Sequence, residues 1–278
     1  MTEHTPPPQR FSTVAVILAV IALIVAAVAV ALIVRHTGDR TTATTSSATP
    51  VPATGSPGTS EPSAGTAPRT TTAPPAHTFG FQPLWPFSGI ADAEAWQREA
   101  NPGGHQPWHL DAGLIAQMFT TQYLGYTGVD KIVKTDVRGD QAWVNVGFTN
   151  PNGAMVTAAV VHLAQIGSGA DQPWEVVGTQ DSTLTVTTPA YGSALSSPLT
   201  VGGSITGVDE SLRVQVRGGA NQQQPVGQVA GIPAGGTNSP WTVTVPLTAA
   251  CPGTLTVAVS TGGHIADVER FAVTGVHC

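Results

Sequence analysis

Between Ser197 and Val216 the chain reads SPLTVGGSITGVDESLRVQV, two runs of alternating apolar and polar residues on either side of an acidic turn. Alternation sends successive side chains to opposite faces of a strand. Leu199, Val201 and Ile205 therefore share one face, as do Leu212, Val214 and Val216, and each run offers that face to a core. The pattern recurs downstream. STLTVTTP, PLTVGGSI, SLRVQVR, PVGQVAGI, WTVTVPL, GTLTVAVST and DVERFAVTGV follow one another from Asp181 to Cys278, separated by Gly, Pro, Asn and Ser clusters and with no helical period among them.

Seven short strands in under about 100 residues, each with one apolar face, predict an all-β sandwich of immunoglobulin type over 181–278. Upstream, the period is different. Asp92 to Ala100, DAEAWQREA, contains helix formers and is stopped by NPGG; LDAGLIAQMFTTQYLG places Leu114, Ile115, Met118, Phe119 and Tyr123 on one stripe with Asp111 as its cap. After Tyr126 the period falls to two. KIVKTDV and QAWVNVGF flank a turn at Arg138-Gly139-Asp140, NPNG turns into AMVTAAVVHLAQI, and QPWEVVGT closes the set. Helices followed by an antiparallel sheet predict a small α+β domain over 79–180. By analogy, a cystatin-like or nuclear-transport-factor-like cone fits that order of elements.

The N-terminal third is of another kind. Residues 14–34, VAVILAVIALIVAAVAVALIV, are uninterruptedly apolar and would span roughly 31 Å as a helix, about one hydrocarbon core. We read them as an uncleaved transmembrane anchor after a cytoplasmic tail at 1–13. Residues 35–78 are dominated by Thr, Ser, Pro, Ala and Gly, too polar to bury enough surface to offset chain entropy, and are expected to be a disordered linker. Its Ser and Thr beside Pro and Ala suit either O-glycosylation or a bare tether. Arg10 before the span and Arg35 and Arg40 after it give a weak charge bias toward the opposite orientation. The exported look of the linker and the late cysteines outweigh that bias, so the folded part is expected outside the membrane.

Only Cys251 and Cys278 are present. In an oxidising exterior a disulfide between them is favoured over two thiols; it would close a loop of 27 residues and restrict the unfolded chain by about 3.5 kcal/mol. The spacing is too short and too late for the usual bridge between the sheets of an immunoglobulin domain.

SPLTVGGSITGVDESLRVQVR, TNSPWTVTVPL and the closing RFAVTGV resemble the bacterial spore-germination immunoglobulin-like domain, with Gly202 or Gly203 near a bend and an aromatic before a strand. WPFSGIADAEAWQ, PWHLD and AAVVHLAQIG look like its membrane-anchored companions in GC-rich Gram-positive bacteria, and an Arg excess of nine over two Lys agrees with a GC-rich genome. The resemblance implies extracytoplasmic recognition or assembly and brings no catalytic residues.

Chemistry is sparse. The sequence holds no G-x-S-x-G, H-E-x-x-H, Walker loop or G-x-G-x-x-G at a strand-to-helix turn, and no cofactor is expected. His105, His109 and Asp111 would surround a zinc ion only if a loop gathered them, since Pro107 interrupts a helix there; the other reading is surface histidines beside a cap. His162 reads as a satisfied edge or core histidine, and Arg138-Gly139-Asp140 as a turn before an adhesion tripeptide. A net charge of −6 with eleven basic residues speaks against nucleic acid. Trp85, Trp108, Trp143 and Trp174 either line a pocket for lipid or glycan or form the core of a small domain. Together these features predict a non-enzymatic, single-pass cell-envelope protein that binds or scaffolds a protein or glycan partner. A small-ligand carrier and an enzyme with its site in 79–180 are the rivals.

Overall fold

The computed structural model describes residues 79–99, 106–196, 198–219, 224–248 and 253–278. The expected tail, anchor and linker lie outside them, and no helix among the described residues is long and apolar enough to cross a membrane. The fold consists of two four-stranded antiparallel sheets with few helices.

The first helix, α1 (Ile90–Gln97), begins after Gly89, and Asp92 accepts hydrogen bonds from the Ser88 amide (3.0 Å) and hydroxyl (3.2 Å). A 3-10 turn at Pro107–Leu110 leads into α2 (Ala112–Met118), where Asp111 caps as expected: its Oδ1 accepts from the Leu114 amide at 3.0 Å. A π turn at Phe119–Tyr123 then extends the helix. The apolar stripe differs from the predicted one in part. Ala112, Ile115, Ala116 and Phe119 are buried and Leu114 is exposed, because a 3.6-residue period carries residue 114 off the face shared by 112, 115, 116 and 119.

The first sheet is a meander of β1 (Lys131–Arg138), β2 (Gln141–Thr149), β3 (Met155–Gln165) and β4 (Trp174–Thr179). Its turns use the expected chemistry. Gly139 and Gly153 both take positive φ, and the Asn150 carbonyl oxygen of the side chain accepts from the amides of Asn152 and Ala154. Ala142, Val144, Val146, Val161 and Leu163 point into the core that α2 covers. A stub at Leu84–Trp85 pairs with Val176 of β4.

The second sheet has the order β6-β5-β7-β8, built from β5 (Leu199–Gly218), β6 (Gly227–Val245), β7 (Thr254–Thr261) and β8 (Arg270–His277). Four of the predicted strands have merged in pairs. PLTVGGSI and SLRVQVR form the single β5 of 20 residues, and PVGQVAGI and WTVTVPL the single β6 of 19. A straight strand of that length would run roughly 66 Å, yet side chains from both ends of β5 enter one core with β7 and β8. The ribbon therefore bends back, at register shifts between Ile205 and Glu210 and at positive-φ Gly236 and Asn238 on the facing strand. One arm (Leu199–Gly207 with Gly236–Val245) takes bridges from Leu184 and Thr188; the other pairs with β7, which pairs with β8. STLTVTTP makes only those isolated bridges. Two layers close over Leu184, Val201, Ile205, Trp241, Leu212, Val214, Val257 and Val259.

The described residues form one compact unit, and the core shows why. Leu255, Val257 and Val259 of β7 face the ribbon, whereas Ala258, Phe271 and Val273 join Trp85, Phe119, Val144 and Leu163 of the first sheet and α2. β7 and β8 are buried on both faces. Polar bonds reinforce the seam: the Val273 amide donates to Thr179 Oγ1 (2.8 Å), Gln215 Nε2 to the Leu124 carbonyl (3.0 Å), and the Tyr123 hydroxyl to Thr256 Oγ1 (3.2 Å). Cys251 lies outside the described residues; the Cys278 sulfur sits 2.9 Å from the carbonyl oxygen of Gly253, two residues beyond it in sequence.

Candidate functional site

Segment 84–87 is pinned to β4 by three bonds. Leu84 N donates to Val176 O (3.0 Å), Val176 N to Trp85 O (2.7 Å), and Phe87 N to Glu175 Oε2 (3.0 Å). This fixes Trp85 and Phe87 beside the 3-10 turn that carries Trp108 and His109. The four rings form a column: Trp85 stacks on Trp108 (5.9 Å between centroids, 23° between planes), Trp108 on His109 (3.7 Å, 26°) and His109 on Phe87 (4.7 Å, 29°). Trp96 of α1 leans on both Phe87 and His109. Together with Asp92 these side chains line an open cleft of about 450 Å³.

The electrostatics are unusual for so small a surface. His109 is 5 % exposed, and burial lowers its pKa to about 4 against the opposing pull of the Asp92 carboxylate. It is neutral at pH 7. Glu175 is fully buried, and desolvation raises its pKa well above the carboxylate range even though it accepts the Phe87 amide bond. Five buried polar side-chain atoms have no hydrogen-bond partner among the described residues. Two of them, Trp96 Nε1 and His109 Nδ1, belong to residues lining this cleft, and Glu175 Oε1 belongs to the residue that pins its wall. Buried polar groups are nearly always satisfied, so this cluster of orphans beside the cleft sets it apart from the rest of the fold.

A larger cleft, about 520 Å³, lies between the turn at Leu124–Gly128 and the β5–β6 ribbon, with Arg213, Gln215 and Asp267 on its wall. None of the five orphaned atoms lines it. We place the candidate site at the aromatic cleft for that reason.

The structure brings together two of the four tryptophans singled out from sequence. Trp85 and Trp108 share the cleft. Trp174, 6 % exposed, belongs to the core and does not line it. Trp143 stands on the open face of the first sheet, with the Arg138 guanidinium over its ring at 5.1 Å and His162, its cross-strand partner, stacked parallel at 4.9 Å. His162 Nε2 is bonded to Gln141 Oε1 at 2.9 Å, as a satisfied histidine should be. Of the histidine–aspartate set, His105 lies outside the described residues, His109 is inside the ring column, and the Asp111 carboxylate is spent on the α2 cap. Among the described residues no group of three His, Cys, Asp or Glu could hold a metal ion. Cys278 stands near Gly253, away from the cleft lining.

Sequence reasoning missed Phe87, Asp92 and Glu175, and counted Trp96 only among the tryptophans of this half. The signal available was weak: an aromatic pair and a lone Glu in an apolar strand, WEVVGT, whose first five residues are all buried and leave no exposed face for a charge. Comparison with protein-family models, with curated proteins and with solved structures gives no match.

Proposed function

We propose that this protein is a tethered binding protein of the cell envelope. Residues 14–34 hold it in the membrane, residues 35–78 act as the tether, and the folded unit stands outside, where its aromatic cleft captures a small ligand. The observation that carries the reading is the cleft itself: stacked tryptophans beside two orphaned polar atoms, on a fold whose other buried groups are largely satisfied. The second half serves as a scaffold of immunoglobulin type. That part is supported by the pairing of segment 184–188 with one arm of the ribbon, of the other arm with β7 and β8, and by a parallel bridge from Ala194 to the last strand at His277. A bridge between Cys251 and Cys278 is supported by the position of the Cys278 sulfur beside Gly253; it would fasten that last strand.

Protease shaving of intact cells tests the compartment: the folded unit should be released while the tail at 1–13 stays protected. Capture of envelope components by the full-length protein, with and without Trp108→Ala, tests the binding. Loss of the captured material in the variant is the expected result. A unit protected from protease, together with capture indifferent to Trp108, would remove the proposal.

A further inference from the structure

We propose that the outer edge of β6 joins two copies of this chain, Thr242 of each copy pairing with Thr244 of the other across a two-fold axis at Val243. The surface is separate from the aromatic cleft, and the inference does not depend on what that cleft binds. In the first arm of β5 the Gly202 amide and carbonyl bond to Thr188, the Ser204 carbonyl accepts from the Thr185 amide, and the Thr206 amide donates to the Thr183 carbonyl. Even-numbered residues of that arm therefore turn their main-chain groups away from β6. Thr242 stands opposite Gly202 and Thr244 opposite Thr200. Their own N–H and C=O groups consequently point off the end of the sheet, where no described strand follows. Sheet edges are ordinarily guarded by charge. β1, the outer strand of the first sheet, carries Lys131, Lys134, Asp136 and Arg138. β6 carries no charged residue in 19, and its segment 241–245 is aromatic or β-branched throughout.

Symmetry of the sequence selects a second copy over other extended peptides. Pro240-Trp241-Thr242-Val243-Thr244-Val245-Pro246 reads almost the same from either end. In an antiparallel pair centred on Val243, the Thr242 and Thr244 amides of each copy donate to the partner's Thr244 and Thr242 carbonyls, and none of these groups is left over. A register moved by two residues sets a threonine carbonyl against a proline, which has no N–H to give. The side chains agree with the same register. Toward the core, Val243, which is only partly buried in one copy, meets the partner's Val243, and Trp241 lies beside the partner's Val245. On the outer face Thr242 meets the partner's Thr244. Aromatic with β-branched and Thr with Thr are cross-strand pairs that stabilise antiparallel sheets.

Cysteine cross-linking of the full-length protein in phosphatidylglycerol vesicles, with linked peptides mapped by mass spectrometry, tests the pairing. Val243→Cys should form an intermolecular disulfide through position 243, because residues that face each other across the axis bring their Cα atoms within about 4.5 Å. Lys134→Cys, on the guarded β1 edge, should link severalfold less. In detergent, sedimentation should show a dimer whose dissociation constant rises about fivefold or more in Thr242→Lys/Thr244→Lys, which sets lysine against lysine in both symmetric pairs. The affinity should recover in Thr242→Lys/Thr244→Glu, which sets each lysine against the partner's glutamate. Both threonines are exposed, and recovery in the second variant shows that the fold survives. A monomer at every concentration, linking through Lys134→Cys as strong as through Val243→Cys, or a dimer indifferent to the double lysine overturns the proposal. So does a lysine–glutamate variant as weak as the double lysine.

Discussion

His109 is buried among Phe87, Trp96 and Trp108, and that burial determines when it can carry a proton. Its folded pKa of about 4 lies below the ordinary value of 6.5. The unfolded chain therefore binds the extra proton first, and the stability His109 contributes is complete above pH 6.5 and is lost as pH falls toward 4. The amount is roughly 3 kcal/mol by linkage. Nitrogen-detected NMR titration should show a neutral ring throughout pH 5 to 8; a midpoint near 6.5 would mean that the ring is open to water. Glu175 works in the opposite sense. Its carboxyl is raised by burial, so its stabilising effect is full below pH 4.5 and fades as pH rises through the folded pKa. We expect Glu175→Gln to raise the melting midpoint relative to the parent at pH 8, with the gap closing by pH 4. A variant less stable at pH 8 would mean that the parent holds an ionised carboxylate that its neighbours favour. Sequence singled out His109, though as a loop or surface residue, whereas Glu175 was not legible as a site residue, because a sequence window shows that an acid stands in an apolar run but not which backbone amide it will meet 88 positions away.

At the scale of elements, β7 and β8 differ most from expectation. GTLTVAVST and RFAVTGV read as sandwich strands with one apolar face, yet both faces are covered. Their small or β-branched residues, Ala258, Thr256 and Val273, fit a second packed layer as readily as a solvated one, which is why the pattern is silent on the point. Phe271 tests the layer. It is 1 % exposed and tilts against Tyr126 at 5.4 Å, so Phe271→Ala should cost about 3–5 kcal/mol in denaturant unfolding. A cost below about 1 kcal/mol would show that the layer is loosely packed. The first arm of β5 offers a second test. A Cβ on Gly203 would collide with the Thr185 carbonyl, where segment 184–188 pairs with the ribbon. Gly203→Ala is expected to destabilise by about 1–3 kcal/mol, whereas Gly128→Ala, which meets nothing within 4 Å, should stay within about 0.5 kcal/mol. The sequence placed Gly202 or Gly203 near a bend, whereas the register shifts fall between Ile205 and Glu210 and both glycines pair within the first arm; the cross-strand carbonyl explains why Gly203 has no room for a side chain.

For the whole molecule, the shared core makes a further prediction. A fragment limited to 181–278 would expose Ala258, Val268, Phe271 and Val273 to water, an apolar patch of the kind that drives association. That fragment should aggregate or fail to fold, while 79–278 unfolds in one transition by both far-ultraviolet dichroism and tryptophan emission. A soluble, monomeric 181–278 would show that the seam is dispensable. Mass spectrometry of the non-reduced protein should find Cys251 joined to Cys278, and free thiols at both would remove the expected bridge.

Local pattern by itself determined the order of helices and strands, the turns at Gly139 and Gly153, the Asp111 cap and the absence of helix among the described residues beyond 181, because each depends on side chains a few positions apart. Tertiary structure alone decided that the ribbon doubles over, that one core runs through both halves, and that Trp85, Trp96, Trp108 and His109 meet while Trp143 and Trp174 stand elsewhere. Those outcomes depend on contacts between residues tens of positions apart, and the periodicity of a strand or helix says which face is apolar without saying what will cover it.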